Sequence, residues 1–349
     1  MKDPRAERDL TVIAPIRDGH EAKLRAILDT IGDDVRNSEG LPFHELSTVH
    51  FMRWVVVPGF DRDGIAMAGP SLVLSTNFDP PRARHLHELV TRAADKLDEI
   101  YQHCEGWPPP EGRGPDAVLR YLEDHAADAE CFYVGHPWRR RDQIVEEAAL
   151  RRDLEAELDR LATTGRLVGW SSRQVYEHLR AFADDRRAAS KVSYLPARRP
   201  WLWLRLALAL LAWGLLALVL VIFCVVPLLI KEKLDARRGD ADADAAHEAR
   251  KQNYLQLADR EDYLVQNQLT HLVEMKPGLV RHATLRMVLS LIGILARYYY
   301  NRGRLGDIPT IHFARWVLID HGQRVLFFSN YDGSWESYLG DFVDRRPNR

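Results

Sequence analysis

Hydrophobic and polar positions along the chain fall into a sequence of short elements that is read twice. Leu10–Ile16 alternates and is rich in β-formers, which predicts a strand. Glu21–Ile31 has helical period, with Leu24, Ile27, Leu28 and Ile31 on an inner side and Lys23, Arg25 and Asp29 outside. Val49–Val57 and Ser71–Thr76 follow as strands, Arg82–His103 as a helix and Glu130–Val134 as a short strand, giving the order βαββαβ. The same order returns in Gln268–Met275, Leu279–Tyr300, Thr310–Ile319 and Arg324–Ser329, and a second helix begins at Ser334–Val343. Between the two sets, Trp107 to Pro115 reads as a stiff linker. Residues 138–164 read as a charged helix whose inner stripe is Ile144, Leu150, Leu154, Leu158 and Leu161. Val175–Lys191 is a further helix, and Leu234–Leu257 a polar helix or arm.

The recurrence extends to the residues themselves. Thr48-Val49-His50-Phe51-Met52-Arg53-Trp54 is echoed by Thr310-Ile311-His312-Phe313-Ala314-Arg315-Trp316. Leu10-Thr11 through Gly19 aligns without a gap to Leu269-Thr270 through Gly278, and Ser75-Thr76-Asn77-Phe78-Asp79 to Phe328-Ser329-Asn330-Tyr331-Asp332. A duplicated unit follows, and with it an α+β fold of two ferredoxin-like units packed as a pseudo-twofold pair. The expected organisation is unit one over 1–135, a helical connector over 136–200, a membrane segment over 201–230, a polar linker over 231–264 and unit two over 265–349. Unit two reaches Arg349 without a last strand, so either the sequence is a piece of a longer chain or something else covers an edge that would otherwise be open to association. From Pro58 to Pro70 the first copy carries a longer loop, since His50 to Asn77 exceeds His312 to Asn330.

Residues 201–230 contain Arg205 as their one charge, and Leu206 to Ile230 is uncharged, longer than the roughly 20 residues that span hydrocarbon. Arg198, Arg199 and Arg205 lie at its start and Lys231, Lys233, Arg237 and Arg238 beyond its end, so both ends claim the cytoplasmic side. A straight span would also separate the two units. A bent or in-plane insertion, broken at Trp213-Gly214 or Pro227, accounts for both points, with a plain single-pass helix as the alternative. In Leu279–Tyr300 only Arg286, Ser290 and Arg297 form a polar stripe, so this helix meets lipid, the inserted segment or a partner, or is buried on unit one.

Bulk composition adds little beyond this. A net charge of −2 gives no reason to expect nucleic acid, and the local runs Arg139–Arg141 and Asp240–Asp244 read as solvated surface. Of three cysteines, Cys224 lies in the apolar segment, leaving Cys104 and Cys131 as the one soluble pair, as suits a reducing compartment. The amino terminus lacks the apolar core of a signal peptide, which places the soluble units at the membrane facing the cytoplasm.

Strand geometry sorts the candidate chemistry. With regular alternation His50, Met52 and Trp54 share one face and Phe51, Arg53 and Val55 the other; His312 and Trp316 likewise oppose Arg315. Only a bulge would bring histidine and arginine together. The paired histidines read either as iron or metal ligands in an interior between the units or as hydrogen-bonded residues repeated with the fold. Arg53 and Arg315 are expected to pair with Asp79 and Asp332 or to bind backbone. Asp332 or Ser334 is placed to cap the following helix. Zinc spacings, a P-loop, a dinucleotide turn and a nucleophile elbow are all missing from the chain.

Ile308-Pro309-Thr310 through Trp316, followed by Phe328-Ser329-Asn330-Tyr331-Asp332-Gly333-Ser334-Trp335 through Phe342, resembles an uncharacterised bacterial family of membrane-associated proteins. The likeness is strong over 265–345 and looser in unit one. By likeness of fold that family is grouped with the dimeric α/β barrels, which include dye-decolourising peroxidases and chlorite dismutases. The resemblance therefore implies a haem-dependent, peroxidase-like oxidoreductase acting on a lipid or other apolar substrate. Asp332 in Asp332-Gly333 corresponds to the distal aspartate of the peroxidase turn, although Ser329 stands for its first glycine and unit one has Pro80 after Asp79. On that basis Asp332 and Arg315 are the catalytic candidates, His312, His50 and Trp316 the cofactor-binding ones, and His312 the iron ligand. Membrane lipid is the expected partner, together with a homo-oligomer or partner protein at the open sheet edge. A non-catalytic membrane-bound binding or assembly module without cofactor is the alternative.

Overall fold

The computed structural model describes residues 7–190 and 266–334, with gaps at 34, 36–40, 63, 301–302 and 306–307 and with isolated positions elsewhere. The expected membrane segment, the linker over 231–264 and the helix begun at Ser334 lie outside the described residues apart from such positions.

The amino-terminal part runs β1 (Arg8–Pro15), α1 (Glu21–Asp33), β2 (Val49–Val57), β3 (Phe60–Arg62), β4 (Ile65–Ala68), β5 (Ser71–Phe78), α2 (Arg82–Arg92), α3 (Ala94–Tyr101), α4 (Pro115–Asp124) and β6 (Ala126–Ala127). Its antiparallel sheet has the order β2-β5-β1-β6. One face is covered by the helices, with Leu10, Val12, Leu24, Met52, Leu74, Leu86, Leu97 and Leu122 in a shared core. The single helix expected over Arg82–His103 is two, interrupted at Ala93. The proline-rich linker ends in α4, with Gly114 before it and Pro115 in its first turn, where a missing N–H costs nothing.

The rest comprises β7 (Cys131–Val134), α5 (Arg141–Thr163), α6 (Ser172–Ala189), β8 (Gln266–Glu274), α7 (Leu279–Tyr298), β9 (Ile311–Ile319) and β10 (Arg324–Asp332). A second antiparallel sheet has the order β7-β9-β10-β8. The strand at Glu130–Val134 was expected to close unit one. Instead β6 occupies that place beside β1, and β7 crosses to pair Cys131 with Trp316 and Val134 with Phe313. Alternation identifies a strand, not its partner, and α7 supplies the apolar cover that holds β7 here: Gly293 lies over Cys131 and Arg286 pairs with Glu130. Cys104 and Cys131 stay free and buried, their thiols pushed up to about 12 by burial.

The faces of the two sheets not covered by helices pack on each other, Val57 and Val73 against Val317, Ile319, Leu326 and Phe328. The longer loop over 58–70 is the β3–β4 hairpin, and it reaches the second sheet. Arg62 donates to the Met275 carbonyl at 2.8 Å, and Arg324 donates to that of Pro58 at 2.7 Å with both guanidinia 5.2 Å from the Phe60 ring. Trp54 and Trp316 point away from the sheet interface and are half-buried, Trp54 bonded to the Tyr101 hydroxyl and Trp316 packed on Phe327. In α5 the expected stripe is only partly inward, with Leu161 buried and Ile144 and Leu158 exposed. α6 begins with a capping box made by Ser171 and Gln174.

Candidate functional site

Both copies of the repeated motif are bulged at the histidine. In β2 the register passes from Val49↔Phe78 to Phe51↔Asn77, and in β9 from Ile311↔Tyr331 to Phe313↔Asn330, so His50 and His312 have no partner opposite. A bulge re-aims the side chain next to it. Each histidine consequently turns toward the sheet interface: the His50 ring lies 5.5 Å from Phe313, and His312 stacks on Phe51 at 6.1 Å. Phe51 and Phe313 meet edge-on between them at 5.7 Å.

The histidines, not the arginines, take the aspartates. His50 Nε2 is 3.0 Å from Asp79 Oδ1, and His312 Nε2 is 2.8 Å from Asp332 Oδ1. Arg53 and Arg315 cross to the opposing sheet instead, which corrects the expected Arg53–Asp79 and Arg315–Asp332 pairing while keeping the backbone alternative. Arg53 donates to the Leu269 carbonyl at 2.6 Å, the Ser329 carbonyl at 3.1 Å, Thr270 Oγ1 at 3.2 Å and Asn330 Oδ1 at 2.9 Å. Arg315 donates to the Leu10 carbonyl at 3.0 Å, the Thr76 carbonyl at 3.2 Å and Ser75 Oγ, and lies 3.6 Å from Asp9. Leu10 and Thr76 are the repeat counterparts of Leu269 and Ser329, so the contacts are reciprocal. Both guanidinia sit 5.2 Å from the Phe328 ring. Burial first, and Arg315 second, lowers Arg53 to about 9; burial lowers Arg315 to about 10 against the pull of Asp9.

The two histidine–aspartate pairs differ in access. His50 and Asp79 side chains are 4% and 6% exposed, whereas His312 and Asp332 are 25% and 40% exposed. The first pair is sealed by the chain leading into α5. Asp79 Oδ2 accepts from the Arg141 N–H at 2.8 Å, so it also caps that helix. Glu7 is buried beside it, and burial pushes its carboxyl up to about 7 against the opposing pull of the Trp138 backbone and His50. The second pair has His136 nearby, whose pKa is lowered by burial, then by His312. Sequence reasoning passed over Glu7, Asp9 and His136; each is an ordinary polar residue outside the motif, with no local signal of what it faces.

Arg315 is thus buried away from Asp332, and Trp316 lies on the sheet face opposite to His312. Haem finds no fit at this position. The His312 Nε2 is engaged by Asp332, Phe51 covers the ring, and the space between the sheets is filled by Arg53, Arg315, Phe313 and Phe328. Among the described residues no group of three or more metal-ligating side chains occurs. Comparison of the chain with protein-family models, with curated proteins and with solved structures finds no match.

Proposed function

We propose that this protein is a membrane-associated binding module, made of a duplicated ferredoxin-like unit closed on itself as a pseudo-twofold pair. The carrying observation is the reciprocal pair of arginines that fills the space between the sheets. An interior so occupied supports a scaffold better than a cofactor chamber. The strand order β2-β5-β1-β6 agrees with a ferredoxin-like unit, and the repeat of both motif and contacts supports the duplication.

The same contacts bear on topology. Residues before and after the apolar segment 201–230 share one interior, so a membrane insertion by that segment would have to enter and leave the bilayer on one side. Two full crossings need about 40 apolar residues, more than it has, which favours an in-plane or re-entrant insertion from the cytoplasmic leaflet. α7 is long and apolar enough to cross a membrane. Lying along β7 with Leu279 and Val288 exposed, it serves in this reading as the surface that meets lipid.

Two measurements test the proposal. Protein purified in detergent after expression with ample haem should lack a Soret band at about 400 nm. A fluorophore at Val288 should be quenched by brominated lipid in nanodiscs. Stoichiometric haem lost on His312→Ala would return the peroxidase-like reading to the front, and an unquenched Val288 label would remove α7 from the membrane surface.

A further inference from the structure

A cleft lies between the start of α7 and the β9–β10 connection, away from the sheet interface. It is a shallow, open cleft of about 60 Å³, lined by His282, Leu285 and Arg286 of α7, Leu318 of β9, and His321 and Gly322 of the connection. Leu285 and Leu318 form an apolar floor. The other large side chains are two imidazoles and a guanidinium, and among the described residues no carboxylate lines the space.

Neither His282 nor His321 has a side-chain hydrogen-bond partner among the described residues. Arg286 Nε lies 3.3 Å from Glu130 Oε1, and its side chain is 63% exposed, which leaves one side of the guanidinium open to solvent and the cleft. The neighbouring acid, Asp320, is taken up by the buried Arg324 at 2.5 Å. The connection itself is strained: Asp320 and His321 have φ of 51° and 56°, in the left-handed region that non-glycine residues avoid, ahead of Gly322 at 85°. Such strain persists only where the surroundings impose it, and here it carries His321 into the cleft. Gly322 suits the turn through its positive φ and brings the connection into van der Waals range of the His282 ring.

Two imidazoles and a guanidinium lining one cleft beside an apolar floor match a tetrahedral oxyanion joined to an apolar group. We propose that this cleft binds a phosphate monoester group, either as the headgroup of an acidic lipid or as a free phosphate compound. The small volume admits a phosphate group and leaves the rest of the ligand outside the cleft. Arg286 and His321 supply the outer donors, and His282 the inner one against Gly322. The site does not depend on whether the fold is a scaffold or an enzyme, because it lies away from the sheet interface.

Calorimetric titration of the full chain in a non-ionic detergent tests this with three probes: inorganic phosphate, dihexanoyl phosphatidic acid and dihexanoyl phosphatidylcholine. Binding of phosphatidic acid at least tenfold tighter than inorganic phosphate identifies a lipid headgroup, and comparable binding of the two identifies a free ester. In either case a His282→Ala/His321→Ala variant should bind at least tenfold more weakly, and so should Arg286→Glu, while Arg186→Glu on α6 should bind as wild type. Far-UV circular dichroism and melting midpoints confirm that these substitutions at exposed or half-buried positions retain the fold. Failure of both phosphate and phosphatidic acid to bind at millimolar concentration, affinity equal to that for phosphatidylcholine, or affinity unchanged in both cleft variants would overturn the assignment.

Discussion

Arg315 is almost wholly buried, at 1% exposure, and its value to the fold lies in what its absence would strand. Arg315→Ala leaves the Leu10 and Thr76 carbonyls, Ser75 Oγ and Asp9 without their donor in a closed interior. Removing one partner of such a buried set costs about 3–5 kcal/mol, and urea unfolding should show a loss of that size. Arg315→Lys should recover little, because an ammonium cannot reach several fixed acceptors as a planar fork does. Glu7 and His85 set the pH response in opposite senses. Glu7 is raised by burial from 4.5 to about 7, so its contribution is complete below pH 4.5 and lost as pH rises through about 7. His85, stacked on Phe78, is lowered by burial from 6.5 to about 4, so its contribution is complete above pH 6.5 and lost as pH falls through about 4. At about 1.4 kcal/mol per pKa unit each change amounts to about 3 kcal/mol, and over most of the window they offset. Relative to wild type, Glu7→Gln should gain about 3 kcal/mol of stability between pH 4.5 and 7, and His85→Gln should lose about as much between pH 4 and 6.5. Urea midpoints measured across that range would reveal parallel profiles if either group were not in its assigned state.

At the level of elements, one repeated pair has two structural roles. Asp79 holds His50 and also caps α5 through Arg141, whereas Asp332 holds His312 alone at a surface. Asp79→Ala should therefore cost about 2–4 kcal/mol, a cap and a buried hydrogen bond together, and Asp332→Ala less than about 1 kcal/mol. Equal shifts in melting midpoint would contradict the asymmetry. The motif was legible because Thr48–Trp54 and Thr310–Trp316 share identity, but the bulges that turn His50 and His312 were not. A bulge is a property of two strands in register, and a single strand's alternation carries no trace of it. The half-buried positions of Trp54 and Trp316 follow from the same geometry, and they lower the expected cost of Trp→Ala below the 3–5 kcal/mol typical of full burial.

For the molecule as a whole, the crossed arginines mean that, in the proposed membrane-associated reading, both sheets lie on one side of the bilayer. On the proposed topology, in which the basic flanks of 201–230 face the cytoplasm, single cysteines at Asp18 and Lys276, both exposed, should be labelled in spheroplasts only after permeabilisation. Labels that report opposite sides would mean that the two sheets do not share an interior within one chain. β8 pairs only with β10 among the described residues, and β7 extends the sheet at the other edge, so the second sheet has four strands without copying the order of the first.

Amino-acid order alone determined β1, α1, β2 and β5 with their counterparts β8, α7, β9 and β10, the alignment between them and the apolar character of 201–230, because period and identity are local properties; the break at Ala93, α4, β6 and the β3–β4 hairpin were not legible in it. Tertiary structure decided which edge β7 joins, which groups the arginines bind, and which of two equal histidine–aspartate pairs stays open. Those outcomes depend on partners far along the chain: Arg315 and the Leu10 carbonyl are 305 residues apart, and Arg53 and Ser329 are 276 apart. Unit one and unit two carry the same motif, yet Glu7, Trp138 and Arg141 close only one of them. Access is a property of what packs against a residue, and the motif does not contain it.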